Sequence, residues 1–355
     1  MVQRIAGCMM LKNESQRLHV TLKPLVGFVT GLIVYDTGST DNTIEILQKW
    51  CDEQKVPLHL KKGEFVDFST SRNVLFDFAD TVEGFDFLLL LDCNDELQGG
   101  PKLLEECERF AKMEEKVFMV RQRWLSGTYL NKYLNARLVK VHHGWRFKKR
   151  VHEYLAPPPN LPATTINNRP NTSEEVVLYQ NRNDDDDKTR KRFTRDKAFL
   201  EADLKEFNDT RDMFYLAQTL SCLSEFDESI KLYQRRGEIM EGFWEERFHS
   251  YLRSAELYIT KKGDLELGIA NYFKAAMIDF RAEPLTALGK IFRDRQDFLL
   301  AYTFLNSACQ LSFPTQNILF VSELDYTYDR WQQLSIVAYY VNKFTEGKHA
   351  LEMAR

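Results

Sequence analysis

The spacing of apolar residues changes once along the chain, and this change limits the fold more than any other feature. Up to about residue 180, short apolar runs such as Ile5–Leu11 and Phe87–Leu91 alternate with amphipathic stretches, a pattern typical of β–α–β units and a mainly parallel sheet. From Lys188 onward the pattern is helical only. The sequence therefore predicts an α/β domain over residues 1–183, followed by an all-α domain over residues 184–355.

The individual elements of the first domain follow from the same pattern. The expected strands are Ile5–Leu11, Gly31–Tyr35, Leu58–Leu60, Phe87–Leu91, Val117–Arg121, Ala136–Val141 and Val176–Tyr179. The expected helices are Ser15–Leu25, Asn42–Gln54, Ser69–Phe78 and Pro101–Lys112. Ligands of open α/β sheets bind beyond the carboxyl ends of the parallel strands. The residues that follow these strands are therefore the first candidates for a functional site.

The helical domain is expected to contain consecutive helix pairs. Large residues that anchor the second helix of each pair occur at Phe226, Leu265, Phe298 and Phe344, separated by 39, 33 and 46 residues. Helix pairs that recur about every 34 residues resemble tetratricopeptide repeats. Because the spacing is irregular, a plain helical domain without a repeat stays open as an alternative.

The composition excludes some classes of function. A formal net charge of −4 gives no broad basic field, which disfavours a duplex nucleic-acid partner. No apolar run reaches the roughly 18 residues that a membrane span needs, and no signal peptide is expected at the start. The six cysteines show no C-x-x-C spacing, which favours reduced thiols over zinc or redox chemistry. We therefore expect a cytoplasmic protein without a membrane span.

Five motifs occur in order between about residues 3 and 155. They read MMLKNE, YDTGSTDNT, FVDFSTSRN, LLLLDCNDEL and RVHEYL. Together they resemble the family 2 inverting glycosyltransferases with the GT-A fold, and more narrowly the subgroup whose transferase domain is followed by tetratricopeptide-like repeats. The segment YDRWQQLSIVAYYVNKFTEG also resembles the end of that subgroup.

This resemblance implies a metal-dependent hexosyltransferase. The enzyme would move a hexose or N-acetylhexosamine from a nucleotide diphosphate sugar, expected to be a UDP-sugar, to a hydroxyl of a glycan, a lipid-linked glycan or a protein. Mn²⁺ or Mg²⁺ would neutralise the charge that develops on the diphosphate. The helical domain would position the acceptor, bind a partner protein or mediate self-association into a homo-oligomer.

The donor site is expected in the motifs that follow the first two strands and open the third helix. Asp36 can accept the imide N–H of a uracil base, and Arg72 can bind a diphosphate or pair with an internal carboxylate. Asp41 is either a donor contact or a helix cap. The complete expected donor set is Lys12, Asn13, Glu14, Asp36, Gly38, Ser39, Asp41, Arg72 and Asn73.

The acidic run at residues 92–96 stands where this family has its Asp-x-Asp metal motif. Asp92 and Asn94 are the matched positions, and His152 is the expected third ligand. Asn94 departs from the family pattern, because it offers a carbonyl oxygen without a charge. An acidic turn that only caps the following helix is the structural alternative.

The catalytic base is expected among the same acidic residues. Glu153 is the first choice for accepting the proton of the acceptor hydroxyl, and Asp95 is the second. The structural alternative for Glu153 is an ion pair with Arg146 or Arg150.

Two other classes of function compete with this reading. Nucleotidyl transfer would need a glycine-rich loop with Lys or Arg directly after the first strand, which Lys12-Asn13-Glu14 is not. A catalytically decayed transferase fold, in which the repeats serve as a protein-interaction scaffold, stays open because Asn94 replaces a carboxylate.

Overall fold

The computed structural model describes residues 3–126, 129–159, 169–181 and 186–354. About half of the described chain is helical, and the chain divides into two compact units. The first comprises Met1–Gly127 and Lys132–Asp184, and the second comprises Thr128–Asn131 and Asp185–Arg355. The predicted order of an α/β part followed by a helical part is confirmed. The predicted boundary between residues 183 and 184 lies outside the described residues.

The first unit contains a mixed sheet flanked by helices. Its strands are β1 (Ile5–Leu11), β2 (Gly31–Asp36), β3 (Leu58–Lys62), β4 (Phe87–Leu91), β5 (Glu96–Gln98), β6 (Val117–Ser126), β7 (Tyr129–Lys140), β8 (Arg146–Lys148), β9 (Tyr154–Ala156) and β10 (Val177–Asn181). Its helices are α1 (Leu18–Leu22), α2 (Thr43–Gln54), α3 (Phe68–Ala79) and α4 (Gly100–Ala111), with a 3₁₀ turn at Lys23–Leu25.

The strand order places the three most buried strands side by side. The order of the main sheet is β3-β2-β1-β4-β7-β6-β10-β5, and β8 pairs with β9 separately. β1 is parallel to both β2 and β4, with Met9 opposite Val34 on one side and Leu91 on the other. β2 and β4 are buried along their whole length, since apolar side chains pack on both faces of the sheet. The residues that follow β1, β2 and β4 therefore meet at one edge.

Two features of the first unit differ from the sequence prediction. The sheet is mixed, because β7 runs antiparallel to β4 and β5 runs antiparallel to β10. The helix expected over Ser15–Leu25 is limited to Leu18–Leu22 and the short 3₁₀ turn. Pro24 lies in that turn and cannot donate the backbone hydrogen bond that would continue an α-helix.

The second unit is an array of helix pairs. Its helices are α5 (Asp186–Phe207), α6 (Thr210–Cys222), α7 (Phe226–Glu238), α8 (Trp244–Leu257), α9 (Leu265–Ile278), α10 (Ala282–Asp294), α11 (Phe298–Cys309), α12 (Arg330–Tyr340) and α13 (Phe344–Met353). Tyr258–Lys262 and Asp325–Asp329 form π-helical turns, and Val321–Ser322 is a short strand, β11. The predicted anchors Phe226, Leu265, Phe298 and Phe344 each begin the second helix of a pair, so the predicted repeat is confirmed.

Two further properties of the chain are the state of its cysteines and the apolar character of its helices. All six cysteines, which lie in the described part of the chain, are free, and only Cys222 is exposed. Within the described ranges, no helix combines the length and the apolar character that crossing a bilayer requires.

In the α10–α11 pair, a small residue on one helix faces a large residue on the other. Gly289 of α10 faces the side chain of Leu305 on α11, and both α10 and α11 contribute buried residues such as Leu288 and Ala301. An added Cβ at position 289 would overlap Cγ of Leu305. The absence of a side chain at this position therefore sets how closely the two helices approach.

We expect Gly289→Ala to destabilise the protein by about 1–3 kcal/mol, the usual cost of overpacking, even though alanine has the higher helix propensity. The reason is that Leu305 is fully buried and has little room to move. Urea denaturation followed by circular dichroism measures the change in the free energy of unfolding.

Leu305→Ala provides the control for this contact. The truncated side chain leaves a cavity that the new Cβ can partly fill, so Gly289→Ala should be neutral or stabilising in the Leu305→Ala background. An equal cost of Gly289→Ala in both backgrounds would contradict the contact.

Candidate functional site

The carboxyl ends of β1, β2 and β4 carry a cluster of charged residues centred on Asp92. Asp92 follows β4 directly, and each of its carboxylate oxygens accepts a hydrogen bond from a different arginine. Arg72 Nη2 lies 2.8 Å from Oδ1, and Arg137 Nη2 lies 2.7 Å from Oδ2. The two guanidinium groups lower the pKa of Asp92 well below its usual range, although burial acts in the opposite direction. Asp92 is therefore an anion held between two cations.

Arg72 joins three parts of the first unit. It lies one turn into α3, a helix whose first turn is capped by Asp67, which accepts from the amide of Thr70 at 2.7 Å. Besides Asp92, Arg72 contacts Glu153, with 2.7 Å between Nε and Oε1. Arg72 is 9% exposed. Of the two roles open to Arg72, the structure provides the contacts for pairing with internal carboxylates.

Arg137 and Asp95 extend the cluster below the surface. Arg137, on β7, lies 3.8 Å from Asp95, measured from Nη1 to Oδ2. Asp95 is completely buried and accepts hydrogen bonds from the amide of Asp92 at 2.7 Å and from Nε2 of Gln180 at 2.6 Å. Burial raises the pKa of Asp95 to about 6, against the opposing influence of Arg137. We name Arg72, Asp92, Asp95, Arg137 and Glu153 the ion-pair cluster.

The turn after β2 is built by hydrogen bonds between the first two motifs. Asp36 is 2% exposed and accepts from the amide of Ser39 at 3.0 Å. Gly38 has a backbone φ of +99°, which a side chain would strain. Oδ1 of Asn13 accepts from the amide of Thr40 at 2.7 Å. These contacts give Asp36, Gly38, Ser39 and Asn13 a clear role in shaping the turn.

Asp41 and Glu14 also have partners within the unit. Asp41 accepts from the amide and hydroxyl of Thr43 and from the amide of Ser15, and these bonds lower the pKa of Asp41 to about 2. Asp41 therefore contacts the first residue of α2, although the N-cap position of this helix is Asn42. Glu14 pairs with Arg17 at 3.2 Å. Lys12 is exposed beside this turn.

Asn73 connects α3 to β8. Its Nδ2 donates to the carbonyl of Phe147 at 3.0 Å, and its Oδ1 accepts from the amide of Phe147 at 2.7 Å. Both ends of the side-chain amide are thus used within the unit. This reciprocal pair fixes the β8–β9 hairpin, whose turn leads to Glu153.

The predicted metal ligands do not form a cation site as they stand. Asp92 offers both oxygens to arginines, and a divalent cation there would lie beside two positive guanidinium groups. Asn94 is half-buried, and His152 lies between β8 and β9 with a backbone φ of +51°. Over the part of the chain that the structure describes, no group of three or more His, Cys, Asp or Glu side chains could hold a metal ion. Both oxygens of the carboxylate that was predicted to bind Mn²⁺ or Mg²⁺ are therefore already paired with arginines.

Sequence reasoning missed one of the five residues of the ion-pair cluster. Arg137 and its neighbour Gln122, whose Oε1 accepts from Arg137 Nη2 at 3.5 Å, were not expected at the site. The available signal was an arginine within the predicted strand 136–141, between Ala136 and Leu138. Glu153 is paired, as its structural alternative proposed, but with Arg72 rather than Arg146 or Arg150, since Arg146 instead contacts Asp77 and Asp80.

Comparison with known proteins gives similarity at the level of structure only. No protein-family model matches the chain, and no curated protein matches it. Among solved structures, MamA has a TM-score of 0.36 at 12% identity over 48% of this chain and 91% of its own. The Cut9–Hcn1 hetero-tetramer of the APC/C has a TM-score of 0.35 at 14% identity over 46% of this chain and 30% of its own. The C-terminal part of a TPR repeat-containing protein from Cytophaga hutchinsonii has a TM-score of 0.34 at 15% identity, over 47% and 61%.

These comparisons correct the family assignment. The solved structures named above are helical-repeat proteins rather than glycosyltransferases, and no family model supports a GT-A glycosyltransferase. The assignment to the family 2 glycosyltransferases is therefore wrong, and so is the expectation of a metal-dependent hexosyltransferase. Binding of a nucleotide sugar or metal ion by the predicted residues stays a prediction, and the ion pairs of Asp92 weigh against its metal component.

We expect Asp92→Asn to lower the free energy of unfolding by about 2–3 kcal/mol, because Arg72 and Arg137 lose a shared carboxylate. The value lies below the about 3–5 kcal/mol of a fully buried pair, since the side chain of Asp92 is 33% exposed. Chemical denaturation gives the difference. Asp77→Asn is the matched control, because its 2.7 Å contact to Arg146 involves a carboxylate that is 64% exposed and should cost less than about 1 kcal/mol. Similar costs for the two variants would argue against a central role for Asp92.

Asp95 is expected to make stability depend on pH. Its pKa of about 6 in the folded protein exceeds the roughly 3.9 of an unfolded chain, so the folded state binds the proton more tightly. This group therefore adds stability as the pH falls from 7 toward 4, and that contribution is lost as the pH rises through 6. Asp95→Asn should reduce this dependence in urea titrations at pH 7, 6 and 5. Parallel pH profiles for the variant and the unaltered protein would exclude the shift.

Proposed function

We propose that this protein is a protein-interaction scaffold, and that its helical-repeat unit binds the partner. The observation that carries the proposal is an exposed aromatic patch at the turns that join the helices of the last two pairs. We name Phe298, Tyr339, Tyr340 and Phe344 the aromatic patch. This surface lies far along the chain from the residues that sequence analysis connected with catalysis.

The aromatic patch is continuous and open to solvent. Tyr339, Tyr340 and Phe344 are 66%, 54% and 58% exposed. The rings of Phe298 and Tyr340 stack with 4.0 Å between centroids, and Tyr339 contacts Tyr340 and Phe344 at 5.5 and 5.8 Å. Mutual ring contacts hold the side chains in place without burying them. The patch is therefore preorganised for contact with another apolar surface.

Aromatic side chains suit a protein interface for physical reasons. Each buries a large area at a small cost in side-chain entropy, and tyrosine retains a hydroxyl that can find a hydrogen-bond partner. Contiguous exposed apolar surface is uncommon on proteins that have no partner. The partner we propose is another protein that presents an apolar surface to the patch, and it carries no requirement for a metal or a nucleotide.

The α/β unit has a supporting role in this proposal. The carboxylate of Asp92 is neutralised by Arg72 and Arg137, and the turn-forming residues of the unit are used in hydrogen bonds within it. Charges consumed in this way stabilise a fold more readily than they bind a ligand. The cytoplasm is the proposed location, in keeping with six free thiols among the described residues.

We expect Tyr339→Ser combined with Phe344→Ser to reduce partner binding at least tenfold, because aromatic residues at the centre of an interface supply most of its binding energy. Proximity labelling in cells that produce the protein identifies the partners, and titration with the purified partner measures affinity. Met277→Ser is the matched control, since Met277 is 85% exposed on the same unit but outside the aromatic patch.

Three outcomes of this experiment distinguish partner binding, self-association and the absence of a role for the aromatic patch. Loss of the same partner proteins in the double variant, with retention in Met277→Ser, supports the scaffold function. A dimer of the unaltered protein in sedimentation velocity that the double variant abolishes would assign the patch to self-association. A set of partners that is unchanged in the double variant would rule out the aromatic patch as the binding surface.

A further inference from the structure

The turn inside each helix pair of the second unit contains one residue with a left-handed backbone. The φ angles of these four residues lie between +59° and +67°. The residues are Ser224, Gly263, Gln296 and Asn342. Each lies two residues before the anchor that begins the second helix of its pair. Positions in different pairs can therefore be matched by counting from the anchor.

Seven residues after the anchor, the first three pairs bury a large side chain. These side chains are those of Tyr233, Tyr272 and Leu305, which are 2%, 7% and 0% exposed. Tyr272 packs in one apolar cluster with Leu288 of α10. Leu305 packs in another with Leu334 and Val337 of α12. In both cases the first helix of the following pair covers this position.

The following pair also covers the anchor itself. Tyr340, four residues before the anchor of its own pair, stacks on Phe298 of the preceding pair, with 4.0 Å between the ring centroids. Lys261 has the same position in an earlier pair, and its Nζ lies 5.3 Å from the centroid of the Phe226 ring. Phe226 and Phe298 are both half-buried. The same contact thus joins each of these two anchors to the pair that follows it.

In the last pair, both positions are open to solvent. Phe344 is 58% exposed and Leu351 is 50% exposed. The two residues lie seven positions apart on α13, the last helix within the described ranges, so their side chains share one side of this helix. Lys348 lies between them, and the aliphatic stem of a lysine can extend an apolar surface while its amine stays in water. We name Phe344 and Leu351 the end face.

The end face has the same two residue types as the corresponding surface of the preceding pair. That surface consists of Phe298 and Leu305, and α12 covers it with Leu334, Val337 and Tyr340. The structure thus contains an example of the element that fits a phenylalanine and a leucine at this spacing. The element is an amphipathic helix with branched aliphatic side chains along one side and an aromatic ring near its end.

We propose that the end face binds an amphipathic α-helix of a partner protein, which packs on α13 as α12 packs on α11. The inference rests on the proposed scaffold function, to which it adds the form of the partner. Phe344 belongs both to the aromatic patch and to the end face, whereas Leu351 belongs to the end face only. The partner helix places an aromatic ring over Phe344 and aliphatic side chains over Leu351, and this contact removes their exposed apolar surface from water.

A peptide that copies α12 tests this proposal. The probe carries fluorescein at its N-terminus and has the sequence of residues 325–343 of this chain, and fluorescence anisotropy measures its binding to the full chain. We expect Leu351→Ser to weaken binding about fivefold, the effect of burying the exposed half of a leucine, and Phe344→Ser about tenfold. Leu267→Ser is the matched control and should leave binding unchanged, since Leu267 is 44% exposed but lies on α9.

Two altered probes test whether the peptide binds as a helix. Ile336→Pro in the probe breaks the helix but keeps the side chains that α12 packs on α11, and it should abolish binding. Leu334→Gln with Val337→Gln keeps the helix propensity but removes the aliphatic side chains, and it should have the same effect. The proposal is overturned if the unaltered probe does not bind, if Leu351→Ser leaves its affinity unchanged, or if neither altered probe binds more weakly.

Proximity labelling separates this inference from the scaffold function. Leu351→Ser should lose the partners that Tyr339→Ser with Phe344→Ser loses, while Leu267→Ser retains them. Loss in the double variant alone would leave the scaffold function standing and overturn the end face as the helix site. Partners unchanged in the double variant, with probe binding that depends on Leu351, would refute the scaffold function at the aromatic patch and support the helix site. A dimer in sedimentation velocity that Leu351→Ser abolishes would assign the end face to a second copy and overturn the proposed partner.

Discussion

The packing of α3 and β7 in the first unit depends on the carboxylate of Asp92. Two arginines reach it from different elements: Arg72 from α3, which packs on the sheet, and Arg137 from β7, which returns antiparallel to β4. Burying two guanidinium groups is costly unless both find an anion, and Asp92 serves both at once. The positions of α3 and of β7 relative to the sheet are therefore linked through one side chain.

The same interaction explains why carboxylates that the sequence indicates as catalytic are paired with arginines in the folded protein. Carboxylates at the ends of parallel strands are typical of metal-dependent enzymes, and the sequence supplied Asp92, Asp95 and Glu153 in suitable places. Whether such groups bind a ligand depends on what lies opposite them. Here arginines lie opposite, and the cluster holds its charges within the protein.

The sequence predicted well those parts of the fold whose pattern of apolar residues lies within a single strand or helix. β1 and β4 were placed at their observed bounds because strands buried on both faces are continuous apolar runs. Phe226, Leu265, Phe298 and Phe344 marked the helix starts because each repeat uses a large residue in the same place. Arg137 was missed because its role depends on a partner that is distant in sequence, and no local periodicity records such a contact.

The glycine positions in the helical unit have a consequence for how such an array can change. Gly237 lies beneath Tyr251, Gly268 beneath Ile259 and Gly289 beneath Leu305. The space at each glycine is therefore matched to a side chain of different size and shape. Arrays of repeats are commonly regarded as modular, with units that can be duplicated, deleted or exchanged. If two units of this array were exchanged, an aromatic ring such as that of Tyr251 would face a glycine that is packed against an aliphatic side chain. The order of its repeats is therefore fixed by shape, and its length could grow by addition at an end but not by shuffling within.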